Sequence, residues 1–88
     1  MRPRPTIDAE ALALSALATT LTDERRARRF LDLSGIDTDE LRRRAAEPML
    51  LAALLRFLEA HEPDLIDVAE TIGVSPKQLV DARQELEQ

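Results

Sequence analysis

The residues best suited to chemistry gather around a single histidine. His61, the only histidine in 88 residues, stands within three positions of Glu59, Glu62 and Asp64. Imidazole beside carboxylates is the raw material of general acid–base catalysis or metal binding, because its proton equilibrium lies near neutrality. Zinc, however, needs three or four nitrogen or sulfur ligands, and one histidine in a chain without cysteine cannot supply them. A hard cation such as calcium needs alternating oxygen ligands around a turn glycine, a pattern that Glu59, Glu62 and Asp64 do not form. The spacing instead puts His61 on the apolar side of a helix, in its last turn, where a partial positive charge suits the helix end. Ser15, Ser34 and Ser75 occupy no strand-turn-helix elbow, and two glycines in the whole chain leave no phosphate-cradling loop. No catalytic, cofactor-binding or metal-binding residue is assigned, no cofactor is implied, and the expectation is a protein that is not an enzyme.

Charge narrows the choice of partners. Residues 1–47 carry nine Arg against nine acids, whereas 48–88 carry three bases (Arg56, Lys77, Arg83) against eight acids, so the net charge of −5 resides in the second half. Arg25, Arg26, Arg28, Arg29, Arg42, Arg43 and Arg44 form the basic part. Five spacings of four residues, Glu24–Arg28, Arg28–Asp32, Asp39–Arg43, Glu40–Arg44 and Arg43–Glu47, predict self-paired helix faces, each pair contributing roughly 0.2–0.5 kcal/mol. Arg25, Arg26, Arg29 and Arg42 have fewer obvious partners and are the candidate surface for an anionic one. Phe30 and Phe57 are the only aromatics, too few for a base-stacking platform.

The stretch "VAETIGVSPKQLVDAR" (68–83) has the form of a helix-turn-helix unit, with Gly73 at the turn and Leu79 and Ala82 as packing positions. Those positions specify only how two helices meet. Reading DNA also requires cations on the phosphates, and Asp64 to Gln88 holds six acids against Lys77 and Arg83. By charge, nucleic acid is therefore not the expected partner. If this unit did bind DNA, Lys77 and Gln78 on the 75–88 helix would do so, although Gln78 can be consumed by its own capping box.

The elements that position these residues are all helical. Ile7, Ala11, Leu14, Ala18 and Leu21, widened by Leu17, predict a first helix from Ile7 to Leu21 with that stripe as its core face. On this phase Leu12 projects to the opposite side as a candidate partner contact, as does Met49 at the margin of the fourth helix. Thr22 is the expected N-cap of a second helix that Gly35 ends. Asp37 with Glu40 opens a third as a capping box, and the residue before Pro48 closes it. Pro48 starts the fourth, "PMLLAALLRFLEAHE" (about 48–62), whose Leu50, Leu51, Leu54, Leu55, Phe57 and Leu58 mark it as the central helix. Leu65, Ile66, Val68, Ala69 and Ile72 define a fifth that ends at Gly73. Ser75, Pro76 and Gln78 start a sixth carrying Leu79, Ala82 and Leu86.

One device occurs twice. Gly35, Ile36, Asp37, Glu40 and Leu41 align with Gly73, Val74, Ser75, Gln78 and Leu79, 38 residues apart: a glycine unwinds one helix, an aliphatic residue enters the core, and a cap starts the next helix at a steep angle. No alternating β-branched run predicts a strand. No apolar run approaches a membrane span and "MRPRPTIDAE" lacks the apolar stretch of a secretory signal, so a cytoplasmic location is expected.

The segments "EALALSAL" (10–17), "RRFLDLSGID" (28–37), "LRRRAAEP" (41–48), "LAALLRFLEAHEPDL" (51–65) and "GVSPKQLVDARQEL" (73–86) resemble a short all-helical bacterial family found mainly in alphaproteobacteria, domain of unknown function 3572. The likeness covers nearly the whole chain after residue 7. Met49 and Leu50 depart conservatively from the apolar or aromatic residue expected after the Ala-Ala-x-Pro break. The resemblance implies a small stand-alone cytoplasmic protein with no assigned activity, and so no functional residues to carry over.

The expectation is thus an all-α fold: a disordered tail at 1–5 and a single domain at 6–88, with about six short helices around a central leucine-rich helix and a helix-turn-helix-like C-terminal pair. Its expected role is non-enzymatic interaction with another protein, the chain itself being a monomer or weak homodimer. DNA binding through the 75–88 helix is the alternative.

Overall fold

Proline, glycine and short capping side chains cut the chain into helices. The computed structural model, which describes residues 8–88, contains α1 (Ala9–Leu21), α2 (Glu24–Ser34), α3 (Thr38–Arg44), α4 (Pro48–Glu59), α5 (Glu62–Ile72) and α6 (Pro76–Leu86). The described residues contain no strand. The expected tail at 1–5, and Ile7 of the first stripe, lie outside the described residues.

The two glycine joints form as the sequence implies, with different hydrogen bonding. Gly73 (φ 81°) closes α5, with Val74 N–H donating to Ala69 O at 2.9 Å and Gly73 N–H to Glu70 O at 3.2 Å, the two-bond Schellman arrangement. Gly35 (φ 77°) closes α2 with a single bond from its N–H to Leu31 O at 2.9 Å. Across the second joint Ser75 and Gln78 complete a reciprocal capping box. At the first, Asp37 accepts from Glu40 N–H at 2.8 Å, while the Glu40 carboxylate turns instead to Arg44. The second helix is capped by Asp23, which accepts from both Arg25 and Arg26 N–H, and not by Thr22 as expected. A carboxylate beside the positive helix end is the stronger acceptor.

α4 lies at the centre, as its composition implies: Leu51, Leu54, Leu55 and Leu58 are completely buried. α1 packs against α2, α4, α5 and α6. It does so on a face largely opposite to the one expected: Ala9, Leu12, Ala13, Ala16 and Thr20 are buried together with Leu17, the one described member of the expected stripe that is buried, while Leu14 and Leu21 are exposed. Leu12 is therefore a core residue and no partner contact. Ala13 and Ala16, fully buried, let neighbouring helices approach closely, and the Thr20 hydroxyl is satisfied by Ala16 O at 2.8 Å. α1 is apolar almost all round, so its own periodicity does not select a face. α4 ends at Glu59, so His61 belongs to the next element: it is the N-cap residue of α5, more than half exposed, and not a packed core histidine. Pro63 in the first turn of α5 sets this restart.

Candidate functional site

Of the three acids around His61, Asp64 is the one that anchors α2. Asp64, in the first turn of α5, is 6% exposed. It accepts from Arg26 Nε at 3.0 Å, from Arg29 Nη2, and lies 3.0 Å from His61 Nδ1. Arg26 also reaches Asp67 Oδ2 at 3.0 Å. Burial by itself would raise the Asp64 carboxyl, but the His61 hydrogen bond and the charges of Arg26 and Arg29 outweigh it and hold Asp64 below the usual carboxylate range. Burial likewise opposes the charge of Arg26, and the bonds to Asp67 and Asp64 prevail, raising its affinity for the proton. A second cluster joins α4 to α6. Arg83 bonds to Glu59 at 2.7 and 3.1 Å and to Glu87 at 3.0 Å, and Arg56 bonds to Glu87.

Of the four arginines read as lacking partners, Arg26 and Arg29 are thus committed to α5, through partners 35 or more residues away that helical spacing cannot reveal. Arg42 makes an exposed pair with Asp39 at 3.4 Å, and Arg25 is exposed. Of the five pairs expected at four-residue spacing, Glu40–Arg44 forms, at 3.0 Å. Arg44 also bonds to Glu47 at 2.9 Å, three residues on. The others form no ion pair among the described residues.

On α6, the residues named for DNA are occupied. Gln78 Oε1 accepts from Ser75 N–H at 2.9 Å and Lys77 pairs with Asp81 at 2.9 Å. Among the described residues no three His, Asp or Glu side chains are placed to hold a metal ion. Ser34 lies near His61, but its hydroxyl donates to Leu31 O at 3.3 Å, so no nucleophile–base bond joins them.

What the arrangement does offer is a groove of about 430 Å³ between α2 and α4. Its floor is apolar: Phe30, buried, meets Phe57 edge-on with ring centroids 5.3 Å apart, flanked by Leu33, Ala53 and Ala60. Two cations stand at its rim, Arg29, whose guanidinium carbon lies 5.2 Å from the Phe57 ring centre, and Arg56, with the His61 imidazole beside them. Leu33 is 74% exposed, and Met49, which the sequence did place at a margin, is 68% exposed. Met49 and Ala53 follow one another at helical spacing on the outer side of α4, and Ala60, its C-cap, is exposed too. The sequence reading missed Leu33 and this groove. The available signal was that apolar residues at 49, 53 and 60 lie beyond the core stripe of the segment that forms α4 and its C-cap.

A family model described as a protein of unknown function (DUF3572) matches residues 6–88. No curated protein and no solved structure matches the chain.

Proposed function

The chain belongs to the DUF3572 family, and from that premise we propose that it is a non-enzymatic interaction domain whose α2–α4 groove takes an amphipathic helical segment of another protein. The observation behind this reading is the joining of an apolar floor to a cationic rim in one concave surface. The Phe30–Phe57 floor with Leu33 and Ala53 on its flanks suits two or three apolar side chains at helical spacing, and Arg29, Arg56 and His61 suit carboxylates beside them. Arg29 and Arg56 already bond to Asp64 and Glu87, but a guanidinium has five donors and can hold a second carboxylate.

The test is an NMR titration with a synthetic leucine-bearing, glutamate-flanked helical peptide and with its lysine-flanked counterpart. The acidic peptide is expected to shift the amides of Leu33, Ala53 and Phe57, and Ala53→Glu to weaken it at least about tenfold, ~1.4 kcal/mol. Equal response to both peptides, or none to either, overturns the reading.

A further inference from the structure

α1 carries a second apolar surface that shares no lining residue with the α2–α4 groove. Ala11, Leu14, Ala18 and Leu21 all face outward, with Leu14 38% and Leu21 40% exposed. Their spacing of three, four and three residues is the a/d rhythm of a two-helix seam, and no charged side chain falls within it. The helix buries one face in the core and leaves this second apolar face uncovered among the described residues.

We infer that the outer face of α1 pairs antiparallel with the same face of a second copy of this chain. The seam is complementary to itself. A two-fold axis beside residue 16 sets Leu14 opposite Ala18 and Ala11 opposite Leu21 of the other copy, so every large side chain meets a small one. Antiparallel packing also opposes the two helix dipoles. Charge agrees at the ends. Glu10, in the first turn of α1, is exposed, and the antiparallel arrangement carries it toward the far end of the partner's α1. There a cavity of about 240 Å³ beside Leu21, Leu41 and Ala45 extends the apolar face and has Arg42 at its edge. Glu10 of each copy thereby meets Arg42 of the other. A seam along 13 residues, about 20 Å of helix, is shorter than a standard interface, so the dimer is weak.

Sedimentation equilibrium of the full chain from about 10 μM to about 1 mM tests this, with a dimer expected in the upper part of that range. Leu14→Glu, at an exposed position, should leave the melting curve nearly unchanged and weaken dimerisation more than tenfold. Glu10→Arg and Arg42→Glu should each weaken it several-fold, and the double exchange should restore it. The groove variant Ala53→Glu should leave it untouched, which separates this surface from the one proposed for a partner. A monomer throughout the range, a dimer undisturbed by Leu14→Glu, or a double exchange no better than its single variants overturns the inference.

Discussion

Asp64 ties α2 to α5, and its environment makes stability depend on its ionisation. Its carboxylate is nearly out of solvent with Arg26, Arg29 and His61 around it. Because the folded state holds its proton affinity below the ordinary value of 3.8, folding favours the charged form. The resulting stabilisation is complete above the unfolded value and disappears as pH falls from near 4 through the lower folded value. A melting series is expected to show a fall across that acid window, smaller in Asp64→Asn than in the parent chain. Asp64→Ala at neutral pH should cost about 2 kcal/mol, because it leaves the largely buried Arg26 short of a partner, and should lower Tm by roughly 10 °C. Loss of less than a quarter of that would place the anchoring of α2 in the apolar contacts of Phe30 and Leu31. Arg83 and Glu87 pair comparably, with the Arg56 hydrogen bond foremost in holding Glu87 below its ordinary range.

At the scale of the element, the joints and α1 make opposite points. Gly35 and Gly73 lie at φ 77° and 81°, and a methyl group built at either would touch nothing within 4 Å. The cost of alanine there is therefore backbone strain alone, about 1 kcal/mol at each site, and denaturant unfolding should show both midpoints lowered with unchanged slopes. Unchanged midpoints would mean that the left-handed turns are not required. These joints were legible because a capping pattern and a glycine report local geometry. The phase of α1 was not legible. Residues 7, 11, 14, 18 and 21 form a regular stripe, yet 9, 12, 13, 16, 17 and 20 form another, and the small side chains of Ala13 and Ala16 decide in favour of close packing.

For the whole molecule, the separation of charge leads us to propose no nucleic-acid role for the α5–α6 pair. Arg83 bonds to Glu59 and Glu87, Lys77 to Asp81, and Gln78 to Ser75, so the outward side of α6 presents few unpaired donors to a phosphate backbone. Titration with duplex DNA at low salt is expected to leave the amides of Ser75 to Gln84 unmoved. Salt-sensitive shifts confined to that stretch would reverse the conclusion. By itself the sequence determined the helical class, the number of helices and where most of them start and stop, since caps, prolines and glycines act within a few residues of the chain. It also placed the leucine-rich helix at the centre, because no other segment could bury so much apolar surface. Only the tertiary structure decided which face of α1 is buried, that Arg26 and Arg29 bind Asp64 across more than 30 residues, and that Phe57 and Leu33 border one groove. Each of these depends on which helices become neighbours, a property of side-chain fit between distant segments that no local spacing records.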